Sequence, residues 1–184
     1  MSPYDLNFRH LLAVSAIAQL GSVSRAAGEV HLSQPALTQA LVKLEQQFGH
    51  RLFDRRPDGM SPTAAGAEVV ERIDRAANEL ARAFELEPTE ASARLAPDSR
   101  AMLRRVSFTH LRAVIAAVDS GNFVLATRAT GISAPSIHRA VRDLERLAGV
   151  ALFERRGRSV APTAHARRFV SAARRAVAEI EAAV

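Results

Sequence analysis

Apolar residues in the first part of the chain recur every three to four positions. Phe8, Leu11, Val14 and Ala18 share one side of a predicted helix. Asp5 or Asn7 can cap its start, and Gly21 can end it. A short second helix follows over about Val23 to Val30, where the small Ala26 and Ala27 let a neighbour approach closely. After a turn at His31-Leu32, Ser33 is placed to cap a third helix, and Pro35 falls in its first turn, where a missing N–H costs nothing. The third helix collects Leu37, Ala40, Leu41, Leu44 and Phe48 on one face and Gln34, Thr38, Gln39 and Val42 on another. Gly49 ends it. RLFDRR then predicts an extended stretch that buries Leu52 and Phe53 and carries Arg55 and Arg56; PDG turns it, MSPT returns it, and Thr63 can cap a long last helix.

The whole pattern is written twice, at a shift of about one hundred residues. Phe8 aligns with Phe108, His10 with His110, Gly21 with Gly121, Ser33 with Ser133 and Pro35 with Pro135. Leu44-Glu45, Gly49, Leu52-Phe53, Arg55-Arg56 and Pro62-Thr63-Ala64 all recur with their numbers raised by one hundred. Roughly a third of about seventy aligned positions are identical without a gap, and the unit is far longer than a solenoid repeat. The reading is two copies of one domain: residues 1–87, a connector at 88–104 that holds Pro88 and Pro97, and residues 105–184.

Three helices, a two-stranded wing and a trailing helix make a mainly α fold of two winged helix-turn-helix domains, each followed by a long linker helix. A third helix with a capped, polar, outward-facing start is shaped to enter a DNA major groove. Gln can bond adenine bidentately and Thr can meet base edges, while Arg55 and Arg56 on the wing suit phosphates or a minor groove. A module that only binds other proteins through its linker helices, for instance by heterodimerising with another regulator, is the alternative.

The order of Ala26, Ala27, Val30, Leu32 to Gln39, Leu41, Leu44, Glu45, Gly49, Leu52, Phe53 and Arg55, followed by a wing and Ser61-Pro62-Thr63-Ala64-Ala65-Gly66, resembles the DNA-binding domain of LysR-type transcriptional regulators. The resemblance covers about Phe8 to Glu87 and, with more departures, Phe108 to Val184. It implies a dimeric transcription regulator whose long linker helices pair antiparallel. It brings Ser33, Gln34, Pro35, Thr38 and Gln39 to DNA from copy one, and Ser133, Ala134, Pro135, His138 and Arg139 from copy two, with Arg142, Arg155, Arg156 and Arg158 beside them. The family usually has Ser near the Thr38 position and often Arg at Gln39. Copy two departs further, with Ala134 for Gln, Thr127 for Ala and His138 for Ser or Thr. Family members normally continue into an effector-binding domain of roughly two hundred residues. This chain is therefore expected to be a fragment of a longer regulator or a truncated one, and no small-molecule effector is expected on this segment.

Charge separates the copies. The chain carries a formal net charge of +6. By count, residues 1–87 hold about −2 and residues 98–184 about +8. Copy two is thus expected to supply most of the sequence-independent attraction for DNA, and copy one more of the base discrimination. Other functions find little support. There is no cysteine, so no disulfide framework or thiol chemistry. The six histidines are scattered, without metal spacing or a nucleophile–base set, so neither an enzyme nor a cofactor is expected. Glu45 and Glu145 suit folding roles. No apolar run approaches a membrane span or a signal segment, which predicts a soluble cytoplasmic protein.

The linker helices predict how the copies meet. Val69, Ile73, Ala77, Leu80 and Phe84 form one stripe, and Phe169, Ala173, Val177, Ile180 and Val184 the matching one. Large and small residues are partly exchanged, so antiparallel pairing would set Leu80 by Ala173 and Ala77 by Val177. A connector of about eighteen residues can reach roughly 60 Å, ample for pairing within one chain. An intrachain pseudo-dimer is expected, with a homodimer as the competing arrangement.

Overall fold

The computed structural model describes residues 2–57, 59–84, 102–156 and 159–183. Arg158, Val184, the wing-tip Asp58 and connector residues 88–101 lie outside the described residues, as does the side chain of Arg156.

Copy one runs α1 (Phe8–Leu20), α2 (Val23–Glu29), α3 (Gln34–Phe48), β1 (Phe53–Arg56), β2 (Gly59–Pro62) and α4 (Ala64–Phe84). Copy two runs α5 (Phe108–Ser120), α6 (Phe123–Thr130), α7 (Ala134–Ala148), β3 (Phe153–Arg156), β4 (Ser159–Pro162) and α8 (Ala164–Glu181). The fold is mainly helical, with each three-helix set followed by an antiparallel hairpin. Phe53 pairs with Pro62 and Arg56 with Gly59; in copy two Phe153 pairs with Pro162 and Arg156 with Ser159.

Side-chain caps start the helices. Asn7 accepts from the Arg9 and His10 N–H groups and so is the cap of α1. Asp5 lies in a preceding 3-10 turn, where its carboxylate accepts from the Ser2 N–H. Ser33 and Ser133 accept from the N–H groups of Ala36 and Ser136 at the starts of α3 and α7. Thr63 and Thr163 cap the long helices, their hydroxyls accepting from the Gly66 and Ala166 N–H groups.

The chain divides into two compact units, one made of Met1–Ala77 with Val177–Val184 and the other of Asn78–Ala176. The division falls inside α4 and α8 rather than in the connector, because each unit includes the C-terminal end of the other copy's long helix. In the first unit Ile73 and Ala77 are buried with Val177 and Ile180. Glu179 accepts from Arg72 at 3.3 Å and from Arg75 at 3.0 Å. The Glu179 hydrogen bond also holds the Arg75 guanidinium above its ordinary pKa. In the second unit Leu80, Phe84, Phe169 and Ala173 are buried. There Phe84 and Phe169 meet edge to face at 5.3 Å, and Arg175 donates to Glu79 at 2.7 Å. Arg75–Glu179 and Arg175–Glu79 join the same two aligned positions, once from each copy. Val69 is buried in the first unit as well.

Candidate nucleic-acid interface

Helix α3 of copy one is fixed from behind. Leu37, Ala40, Leu41, Leu44 and Phe48 are buried. The Glu45 carboxylate accepts from the N–H groups of Leu52 at 2.8 Å and Phe53 at 3.4 Å, which ties the start of the wing to α3. Glu145 repeats this with Leu152 and Phe153 at 2.8 and 3.3 Å. A charge-assisted bond to two orphan strand donors explains a Glu at this place without any acid–base role. Arg9 adds a brace in copy one, donating to the carbonyls of Val30 at 2.9 Å and His31 at 2.6 Å, the two residues of the turn before α3. Nothing in the periodic pattern marks Arg9 for this; copy two has Thr109 there.

Among the described residues, most of the sites read from sequence lie at the surface. Ser33, Gln34, Pro35 and Gln39 are exposed, and Thr38 is half-buried, its hydroxyl donating back to the Gln34 carbonyl at 2.9 Å. Thr38 keeps its methyl group and its acceptor capacity for a ligand. Arg55 and Arg56 are exposed on β1 and form no ion pair among the described residues. A groove lined in part by Thr38, Val42, Arg51, Arg55 and Arg56 runs between α3 and the wing.

In copy two Ser133, Pro135, His138, Arg139, Arg142 and Arg155 are exposed and Ala134 is half-buried. Pro135, His138, Arg139, Arg142 and Arg146 line one recess. These residues follow helical spacing, so they are one stripe of α7. Their aligned partners in copy one are Pro35, Thr38, Gln39, Val42 and Gln46, none of them charged. Arg146 is committed to Asp143 at 2.7 Å, whereas Arg139 and Arg142 form no ion pair among the described residues.

Copy two also holds an aromatic ladder that sequence reasoning missed. The His138 ring stacks on Phe123 with centroids 4.3 Å apart and planes at 29°, and Phe123 meets Phe153 at 5.1 Å. The ladder runs from the root of the wing through α6 to the exposed face of α7. Copy one has Val23, Thr38 and Phe53 at these positions and cannot build it. Beside the ladder, Val124 and Leu125 are 59% and 48% exposed, where copy one has Ser24 and Arg25. The aligned sequences carried that signal, as a polar pair turned apolar on a short helix.

His10 and His110 sit beside α3 and α7, near Lys43 and Asp143. Burial lowers the pKa of His10, with Lys43 and Arg9 adding to the effect. Burial lowers that of His110 too, opposed by Asp143 at 3.7 Å. His110 Nδ1 accepts from the Ser107 N–H at 3.1 Å, a capping bond. Among the described residues no three His, Asp or Glu side chains converge as a metal site. No described helix is long and apolar enough to cross a membrane.

A capped helix with an open face, braced from behind and flanked by an arginine-bearing hairpin, defines a winged helix-turn-helix module, and the chain has two. The sequence profile of bacterial regulatory helix-turn-helix proteins of the lysR family matches residues 8–67 and again 108–167. The chain belongs to that family. It is 45% identical over 92 residues to the small neutral protease regulatory protein of Streptomyces coelicolor, covering 50% of this chain and 29% of that one. The HTH-type transcriptional regulator GalR of Pseudomonas putida is 31% identical over 179 residues, covering 96% of this chain and 43% of that one, so this match takes in both copies. The chain thus spans less than half the length of these relatives. A solved structure titled "Crystal structure of CbnR_DBD-DNA complex" is 32% identical, covering 51% of this chain and 94% of that one, with a TM-score of 0.37.

Proposed function

We propose that this chain is the DNA-reading part of a LysR-type transcription regulator and binds double-stranded DNA sequence-specifically. In this reading, helices 33–48 and 133–148 enter major grooves and the wings meet backbone or minor groove. The observation that carries it is the pairing, in each unit, of an outward-facing Ser-capped helix stripe with wing arginines, Arg55 and Arg56 in one and Arg155 in the other, that form no ion pair among the described residues. Family membership supports it, and so does the name of the relative that matches both copies, a transcriptional regulator. Ser33, Gln34, Pro35, Thr38, Gln39, Arg55 and Arg56 form the first reader. Ser133, Ala134, Pro135, His138, Arg139, Arg142, Arg155, Arg156 and Arg158 form the second.

The long helices self-associate within one chain, as a pseudo-dimer. What supports this is the reciprocal pairing of Arg75 with Glu179 and of Arg175 with Glu79. An isologous interface makes each contact twice, with the roles exchanged. The two readers divide the work: copy two gives most of the salt-dependent affinity and copy one more of the base discrimination.

Two measurements on the whole chain test the reading. Genomic duplex fragments should be retained selectively at moderate salt, and sedimentation at nanomolar concentration should give one chain per particle. A chain that retains no duplex at any salt sinks the DNA reading. An obligate two-chain particle sinks the intrachain pairing and leaves the homodimer.

A further inference from the structure

Resting on that DNA-binding reading, we infer that the two recognition helices read different half-sites, so that the target is a non-palindromic sequence with an adenine-directed half and a guanine-directed half. A homodimer repeats one reader under a two-fold axis, and its site is correspondingly an inverted repeat. Here both readers belong to one chain, and their contact stripes differ in chemical kind.

The copy-one stripe is neutral. Gln34 and Gln39 are exposed amides, able to give and take a hydrogen bond at once, which matches the adenine N6–H donor beside its N7 acceptor. Thr38 has its hydroxyl hydrogen committed to the Gln34 carbonyl, so it meets a base as a methyl group or an acceptor. At the aligned positions copy two exposes Arg139, whose fork has donors only and fits the paired acceptors O6 and N7 of guanine. Ala134 replaces the first Gln and offers a methyl group to thymine, not an amide to adenine. His138 is held by its stack on Phe123, and Phe123 by Phe153, so its ring is braced by packing across three elements. Arg142 continues the cationic stripe where copy one has Val42, 48% exposed. The frame behind both stripes is the same, with the same Ser cap, the same Pro in the first turn and the same Glu clamp to the wing. These three devices present both helices alike, and the stripes they present differ in chemistry.

The test is selection of bound duplexes from a random library by the full chain. The expected consensus has two unlike halves, one centred on adenine and one on guanine. Arg139→Gln should weaken the selected site by roughly 10- to 100-fold and relax the preference in the guanine half alone. Gln39→Ala should relax the adenine half alone. The triple change Ala134→Gln, His138→Thr and Arg139→Gln should move the selected consensus toward an inverted repeat; retained circular dichroism and a retained melting curve show that the variant folds. An inverted-repeat consensus from the wild-type chain overturns the inference while leaving DNA binding intact. So does a result in which Arg139→Gln and Gln39→Ala alter the same half. No enrichment of any duplex overturns the inference together with the reading beneath it.

Discussion

The two copies share a frame and differ at its joints and on its face. In copy one the wing is pressed hard against the helices. The Met60 N–H donates to the Gly21 carbonyl at 2.9 Å, and a Cβ at Gly59 would stand 2.4 Å from that same oxygen. A Cβ at Gly66 would stand 1.8 Å from the Leu52 carbonyl oxygen. Copy two has Ser159 and Ala166 at the aligned positions, and Ala166 is fully buried, so strand and helix there leave room for a methyl group. No bond from Val160 to Gly121 is present among the described residues, and Val160 is 41% exposed. Copy one thus carries tight backbone contacts and a neutral outer face on α3, and copy two looser joints and a cationic outer face on α7. The same fold can hold its wing by glycine-permitted contact in one place and by an aromatic ladder in another.

The largest expected effect breaks the first of these devices. Gly66→Ala places a methyl group inside the Leu52 carbonyl, a clash with backbone on both sides that cannot be relieved by a rotamer change. It should cost about 3 kcal/mol or more in the first unit. The mirror change, Ala166→Gly, should cost only about 1–2 kcal/mol in the second, from lost burial and added chain freedom. Tyr4 is the single tyrosine and the chain has no tryptophan, so tyrosine fluorescence follows the first unit while circular dichroism follows both. Equal losses in the two mirror variants would show that the joints do not differ.

The next effect concerns the charged face. Arg142→Gln with Arg155→Gln removes two exposed cations that form no ion pair among the described residues. If each meets a phosphate, the slope of log affinity against log salt should flatten by about 2, at roughly 0.9 per contact. Affinity near physiological salt should fall about tenfold or more. Arg55→Gln in copy one should flatten the slope by no more than about 1. A slope unmoved by the double change but flattened by Arg55→Gln would reverse the proposed division of labour.

How much of this was legible in the chain follows from what each feature depends on. The helices, caps and wing were readable because they rest on local rules, such as Ser before Pro at a helix start or Leu-Phe before Arg-Arg. The duplication made every such signal count twice. Glu45 and Glu145 could be read as structural but not as clamps, because the strand N–H groups they bind lie seven and eight residues on and become orphans only once the chain turns. The His138–Phe123–Phe153 ladder was not legible. It joins three elements, and on periodicity alone His138 is simply an outward-facing residue. The closeness of Gly66 to Leu52 was hidden for the same reason, since a lone Gly near a helix start reads as flexibility until the neighbouring strand is in place. Asp5 and Asn7 were equal candidates as caps; the 3-10 turn at Pro3–Asp5 takes Asp5 out of the competition.

A smaller effect separates the turns before α3 and α7. His31 sits at φ 53 and Gly131 at φ 72, the same left-handed place occupied by a side-chain residue in copy one and by glycine in copy two. Gly131 has open space around a Cβ, so Gly131→Ala carries only the backbone strain, about 1 kcal/mol. His31→Gly relieves that strain but adds freedom to the unfolded chain, and should change stability by about 0.5 kcal/mol or less. Guanidinium unfolding of both variants checks this. A loss of several kcal/mol in His31→Gly would mean that the His31 side chain, and not its backbone bond to Arg9, secures the turn.

The smallest effect turns on one exchanged charge, Lys43 on α3 for Asp143 on α7. Burial lowers the pKa of both His10 and His110 from the ordinary 6.5, Lys43 pushes His10 the same way, and Asp143 pulls His110 back. A lowered folded value means that the unfolded chain takes up the proton first. The contribution of each ring to stability is therefore intact above about pH 6.5 and is lost as pH falls below that, through the lowered folded value. Lys43→Gln removes a lowering influence, so the acid-side loss in the first unit should shrink. Asp143→Asn removes a raising one, so the loss in the second unit should grow. Asp143 also holds Arg146, so its removal shifts stability at every pH. Only the difference between unfolding free energies at about pH 7.5 and about pH 5.5 isolates the histidine. Opposite signs in that difference are the expected result, read by Tyr4 fluorescence for the first unit and, for the second, by the circular dichroism change left after the first unit's transition is subtracted. The same sign in both would mean that the exchanged charge does not govern the two rings, and that burial alone sets their response to acid.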